Sequence, residues 1–413
     1  MSTFRTPAAF AHLESYLALV NLDCGLNWGD LSHLHRWASH DINWAFLRGM
    51  VDFWDPEDHV FRIGLDELCP TIEEFSALMR QDMALPLASL RDGRSPRAIL
   101  AELLEIEESD CRAMIVEGKL HLGRLVNFCT WLGDDPTYFH GRTAACIICA
   151  FSQMVLVTGD AVSVDPLIIR VVLEARRGRL VTPILLAETL NGLDAMAQGQ
   201  IEFFRGSPYL LYMWLTERFR FVQPQLPWDS RAFFTRFDYA IASPLTSFDW
   251  TVAFSEMAAM IRWDVPWWRL RSMITSMGGQ NFIRIRGLRE TSFYIPSRLT
   301  RQFNVHLSLP LPLRNFSSIA LPITPRLETT LQGLWTTRFT RRFQLGEFGI
   351  THVTRADVVL HIWRRVRQNI EHDAMLMRWF RYPDTRVTEE TVLASYHALE
   401  RERMLQSAIQ DAD

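Results

Sequence analysis

GSPYLLYMWLTERF, residues 206–219, is the stretch on which the fold turns. Ser207 is a preferred helix N-cap, and Pro208 suits the first helical position, where its missing N–H has no partner to lose. Leu210, Leu211, Met213, Trp214 and Leu215 then leave little room for a wet face. The spacing therefore predicts a helix buried on all sides. Helical spacing recurs around it, over residues 8–22, 30–53, 121–132, 141–158, 166–177, 183–197 and 250–261. Gly159 and Gly199 are placed as helix stops, and Pro183 follows Thr182 at a first turn.

The chain has 413 residues, 48% of them hydrophobic, with 14 Trp and 26 Phe, which is ample for a large core. The longest apolar run, 144–157, is interrupted by Ser152 and Gln153 and is too short to span a bilayer. Met1–Arg5 leads into no apolar segment, so no secretory signal is expected. Six scattered cysteines then suggest an intracellular, reducing compartment without a disulfide framework.

Upstream of the buried helix lies FWDPEDHVFRIGLDELCPTIEEFSALM, residues 53–79. Asp55-Pro56 signals a turn, and Val60–Ile63 with Leu65–Leu68 suggests a hairpin around Gly64. Thr71 and Glu74 have the Ser/Thr-x-x-Glu spacing of a capping box, with Ile72, Phe75, Leu78 and Met79 as the apolar stripe behind it. Residues 86–118 read as a polar, acidic surface excursion with one helix over 96–108. Downstream, residues 221–248 read as an irregular connection, 282–285 and 292–295 as short strands, and 296–303 as one or two helical turns. Helices are expected again over 354–380 and 388–409.

Three of these stretches, in order, resemble the plant mobile domain family. FRIGLDELCPTIEEFSALM resembles its opening signature and GSPYLLYMWLTERF its central helix. DVPWW (264–268) with PSRLTRQFNVHLSLP (296–310) resembles its closing element. FWDPEDHVFRIG is similar to the branch of uncharacterised plant proteins tied to retroelements. The residues that carry the likeness are Glu67, Thr71, Glu74, Trp214, Glu217, Arg218, Arg298, Arg301, Gln302 and Phe303. One departure is Asn304, where the family pattern often has Gly; Asn also tolerates a left-handed backbone. The resemblance implies descent from transposable elements, a nuclear setting (with the cytoplasm as alternative), a role in silencing and a phosphatase-like protein partner. It brings no catalytic residues.

The family's occasional "aminotransferase-like" label would require a Schiff-base lysine. Lys119 is the one lysine among 43 basic residues, and VEGKLHLG around it has no Gly-rich phosphate cradle, so no cofactor is expected. Cys146 and Cys149 form C-x-x-C inside an apolar helical run, with only Cys129 and His140 as close extras, so core packing is favoured over zinc. His33, His35 and His40 fit alternate faces of a surface helix. Asp52, Asp55, Glu57, Asp58 and His59 form an acidic cluster that fits a solvated turn. A divalent metal on Asp55, Glu57 and Asp58 is the alternative, which would make the chain a nuclease- or transposase-like enzyme.

Charge is unevenly distributed. Residues 1–120 hold 20 acids and 10 bases, whereas 262–381 hold 19 arginines and seven acids. Arg338, Arg341 and Arg342 are interleaved with Phe339 and Phe343, and Arg364, Arg365 and Arg367 lie off the apolar face of the expected helix over 354–380. Arginines with aromatics suit phosphates and bases. Pairing with the acidic front is the competing explanation.

The expectation is therefore a mainly α protein: a multi-helix globular domain with a few short β-strands and hairpins and a C-terminal helical extension. The segments are an N-terminal helical piece (1–27), the globular domain (28–310), a Pro- and Arg-containing linker (311–353) and C-terminal helices (354–413). The expected function is a non-enzymatic interaction module with a protein partner, no membrane association, and possible non-specific contact with DNA or RNA.

Overall fold

The computed structural model describes Leu34 and residues 42–63, 66–91, 93–132, 136–158, 163–219, 272–303 and 320–342, with Thr251, Ile261, Trp263, Val265 and Leu270 as single positions. Helix α1, Trp44–Val51, opens at Asn43, whose Oδ1 accepts the Phe46 N–H at 2.9 Å. Strands β1 (Trp54–Asp55), β2 (Val60–Ile63) and β3 (Asp66–Leu68) form an antiparallel sheet in that order, with Phe61 opposite both Trp54 and Leu68. Helix α2, Ile72–Met79, starts with the capping box expected from the sequence: Thr71 Oγ1 accepts from the Glu74 N–H, and the Glu74 carboxylate accepts from the Thr71 N–H.

Ser95 caps α3, Pro96–Leu104, with Pro96 in the first turn. A second antiparallel sheet is built from β4 (Ile115–Val116), β5 (Lys119–His121) and β6 (Ser163–Val164). Between β5 and β6 lie α4, Leu122–Trp131, and α5, Phe139–Ala150, which continues as a π turn, Phe151–Val155. Next comes α6, Leu167–Arg176. Helix α7, Thr182–Ala197, has an unusual N-terminal cap: Oε1 of Gln81, from a distant segment, accepts from the N–H groups of Val181 and Thr182 and from the Thr182 hydroxyl. The helix ends as expected at Gly199, whose φ of 70° is left-handed.

Helix α8, Pro208–Arg218, is buried at all 11 positions. Ser207 stands before it but makes no side-chain cap; its hydroxyl donates instead to the Val155 carbonyl, tying α8 to the end of the π turn. Gly206 has φ 110°, and a Cβ there would collide with the backbone of Glu188 and Thr189. Only glycine lets α8 start this close to α7.

The C-terminal part of the described chain packs against these helices. Strands β7 (Ser272–Ser276), β8 (Ile283–Arg286) and β9 (Thr291–Tyr294) are followed by 3-10 turns at Pro296–Arg298 and Thr300–Phe303. Helix α9, Pro325–Thr336, is capped by Thr324, whose Oγ1 accepts the Leu327 N–H at 3.1 Å. Strand β10, Phe339–Arg342, pairs antiparallel with β7, and β8 pairs with β9.

The mainly α expectation is corrected. Among the described residues 51% are helical and 19% are in strands, distributed over several small sheets, which makes a mixed α/β architecture. Strands of two to five residues are too short to print a period of two on the sequence. Within 311–353, read as a linker, α9 buries Leu331 and Trp335 and β10 joins a sheet. The expected segment 1–27 and the helices over 354–380 and 388–409 lie outside the described residues, as does nearly all of 250–261. Among the described residues no helix is long and apolar enough to cross a membrane.

Candidate functional site

Five of the residues that carry the family likeness meet in the core. Glu74 of α2 is fully buried, and Arg218 of α8 is 1% exposed; Arg218 Nη2 forms an ion pair with Glu74 Oε1. Trp214, one turn earlier in α8, donates its indole N–H to Glu74 Oε2 at 3.0 Å. Gln302, from the second 3-10 turn, donates from Nε2 to Glu74 Oε2 and to the Cys69 carbonyl, both at 2.6 Å, and its Oε1 accepts the Cys69 N–H at 3.1 Å. Thr71 completes the set by donating from Oγ1 to Glu74 Oε2 at 3.2 Å. Arg218 reaches further, to the carbonyls of Trp263 and Gln302. One carboxylate thus joins the opening signature, the central helix and the closing element. A buried charge held by this many partners is an architectural tie, since losing any one leaves the others unsatisfied in a low-dielectric interior.

A second tie lies beside it. Arg298 Nη1 contacts both oxygens of Glu67 at 2.8 and 3.0 Å, and Nη2 donates to Asp58 Oδ1 at 2.9 Å. One nitrogen takes both Glu67 oxygens while the other takes Asp58, so Arg298 bridges two acids rather than forking onto one. Burial works against the Arg298 charge, but Glu67 and Asp58 outweigh it and raise its pKa; burial raises Glu67, with Arg298 and Arg62 opposing. Glu217 and Phe303 are also buried. Arg301 lies in the second 3-10 turn, with its side chain outside the description.

The acidic cluster is drawn into the same tie. Asp55 Oδ1 accepts the N–H groups of Glu57 and Asp58, and Asp55 Oδ2 pairs with Arg62 at 3.0 Å. Asp58 is shared between Arg62 and Arg298. The buried His59 ring reaches Asp194 Oδ2 at 2.8 Å and the Phe293 carbonyl at 2.7 Å. Asp52 accepts from the Thr251 hydroxyl at 2.8 Å, while Glu57 stays exposed. Arginines therefore hold two of the three acids, Asp55 and Asp58, that the metal alternative would need free. No group of three or more His, Cys, Asp or Glu is placed to hold a metal among the described residues.

Lys119 is exposed in β5, opposite Val116. Cys149 is buried in α5, next to the half-buried Cys146, and burial pushes the neighbouring buried thiol of Cys129 up to about 12, as expected of cysteines that act as small core residues. His33, His35 and His40 lie outside the described residues, as do Arg364, Arg365 and Arg367.

Elsewhere among the described residues lies a cleft of about 570 Å³ between residues 84–91, α6 and α9. Arg91, Arg170, Arg177, Arg179 and Arg338 line it with a single acid, Glu174. Glu174 accepts the Ser89 N–H at 3.1 Å and pairs with Arg177, which also reaches Glu102. Carbonyl oxygens, not carboxylates, orient two of the other arginines. Arg170 donates to Leu90 and Arg94, each at 2.6 Å, and Arg338 donates to Trp335 and Met83 while stacking over the Trp335 ring at 4.3 Å. Burial lowers the Arg338 pKa, with Glu73 opposing. The wall is fixed by buried Glu328 of α9, which accepts from Ser89, Leu90 and Arg286. Beyond the cleft, β10 exposes Arg341, Arg342 and Phe339, the last 63% exposed.

Of the three described arginines among the six singled out for nucleic acid, Arg338 lines this cleft and Arg341 and Arg342 do not. Sequence reasoning missed Arg91, Arg170, Arg177 and Arg179, which come from stretches where acids balance the charge. The one local signal was the run Arg176-Arg177-Gly178-Arg179 after α6.

Compared with protein-family models, with curated proteins and with solved structures, the chain matches none of them.

Proposed function

We propose that the chain is a non-enzymatic interaction module of plant mobile domain type, derived from a transposable element. It acts in the nucleus beside a phosphatase-like protein and in contact with nucleic acid. The observation that supports this most is the tie at Glu74. Thr71, Glu74, Trp214, Arg218 and Gln302, which carry part of the resemblance, are buried and hold three stretches of chain together, which is how a module keeps a fixed surface for its partners. The resemblance alone supplies the nuclear setting, the silencing role and the class of protein partner.

The enzymatic alternative, a metal-dependent nuclease or transposase on Asp55, Glu57 and Asp58, is the less favoured, because Arg62 and Arg298 already neutralise Asp55 and Asp58. Incubating the full chain with Mg²⁺ or Mn²⁺ and labelled single-stranded and duplex DNA and RNA tests the choice. The expected result is intact nucleic acid. Metal-dependent cleavage that disappears on Glu57→Gln, a change to an exposed side chain, would overturn the non-enzymatic assignment.

A further inference from the structure

We propose that the cleft between residues 84–91, α6 and α9 binds the phosphate backbone of single-stranded nucleic acid, which places the contact assumed in the preceding section at named residues. Five arginines face one glutamate there, and Glu174 is already engaged by Arg177 and by the Ser89 amide. Among the described residues, Arg91, Arg170, Arg179 and Arg338 have no carboxylate partner. Cations left uncompensated in a concavity attract anions. Arginine also presents its donors in a fork that matches phosphate oxygens.

The cleft is preformed. Glu328 and Glu174 fix the 84–91 segment against α9 and α6, and backbone carbonyls aim Arg170 and Arg338. A ligand therefore meets oriented guanidinium groups with little further ordering, which favours binding. Most of the walls are polar, so an apolar ligand has little to recognise.

The extent of the charge argues for a chain rather than a small anion. From Arg338 exposed arginines continue on β10, Arg341 and Arg342 on its alternate faces, over roughly 13 Å at about 3.3 Å per residue. Phe339 lies exposed within that stretch. A groove that follows a backbone, with an aromatic side chain beside it for a base to stack on, is the pattern of single-strand binding. A phosphopeptide would present one isolated phosphate to a track several phosphates long.

Fluorescence anisotropy with a labelled oligothymidylate of about 15 nucleotides tests this. The full chain is used, in EDTA, so binding is read without turnover and independently of any metal chemistry. Affinity should fall with salt, with a log–log slope of about −0.7 for each phosphate contacted, and three to five contacts give roughly −2 to −3.5. Arg91→Gln with Arg179→Gln, both exposed positions, should weaken binding about tenfold or more and flatten the slope by about 1.4. Arg112→Gln, exposed but outside the cleft, should change affinity less than about twofold. Circular dichroism should show all variants folded. No binding at about 50 mM salt, or an unchanged Kd in the double variant, overturns the proposal. Equal or tighter binding of inorganic tripolyphosphate or a phosphopeptide overturns the choice of ligand. Cleavage in the metal assay above would instead overturn the non-enzymatic reading and leave this cleft's binding as a separate result.

Discussion

Thr71 acts twice at the start of α2. Its Oγ1 accepts the Glu74 N–H, and the same hydroxyl donates into the Glu74 carboxylate. Thr71→Ala removes both, and loss of an N-cap typically costs about 1 kcal/mol, up to about 2. Urea unfolding should show a lower midpoint at unchanged m. Buried Glu73 and partly buried Glu188 set a pH dependence. Glu73 and Glu188 are each raised from 4.5 to about 7, by burial first, with the amides of Ile274 and Leu288 opposing. The folded state therefore holds protons on these groups that the unfolded chain has already released. Their contribution to stability is fully present below about pH 4.5 and is lost as pH rises through about 7. The melting temperature should fall over that window, and Glu73→Gln should remove part of the fall. A profile identical in the variant would contradict the assignment to Glu73.

At the scale of elements, α8 depends on how closely its start approaches α7. Gly206→Ala forces a side chain into a left-handed backbone and against Glu188 and Thr189. Strain of this kind costs roughly 1–3 kcal/mol before any shift of α8. Gln81→Ala uncovers the N-terminus of α7 at a distance of about a hundred residues in sequence and should cost about 1 kcal/mol, visible as faster hydrogen exchange at Val181 and Thr182. Elements of this kind differ in how far the sequence exposes them. The Thr71–Glu74 box, the Gly199 stop, the buried helix over 208–218 and the paired strands near 283 and 294 all follow from local spacing. The Gln81 cap and the turned-away Ser207 do not, because their partners are tertiary. Strands β4, β6 and β10 escaped notice because two to four residues carry no periodicity, and α9 was hidden by the prolines around it, although Thr324-Pro325 is a helix start. The cleft was invisible for the same reason as the Gln81 cap: its arginines come from segments far apart in sequence.

Across the whole molecule, the charges sort by depth. Glu74, Glu67 and Glu328 each sit buried against an arginine from another part of the chain, Arg218, Arg298 and Arg286. The first joins α2 to α8, the second joins β3 to the 3-10 turn at Pro296–Arg298, and the third joins β8 to α9. Among the described residues, four of the five cleft arginines, Arg91, Arg170, Arg179 and Arg338, by contrast have no carboxylate partner, and all five line the concavity. The buried pairs therefore hold the shape, and the shape sets the arginines in place. Urea unfolding of Glu74→Gln tests this most directly. It leaves Arg218 as a buried charge without its carboxylate, and breaking one partner of such a pair typically costs about 3–5 kcal/mol. The predicted result is a large drop in the unfolding midpoint at unchanged m. A variant as stable as the parent chain would contradict the architectural role of Glu74.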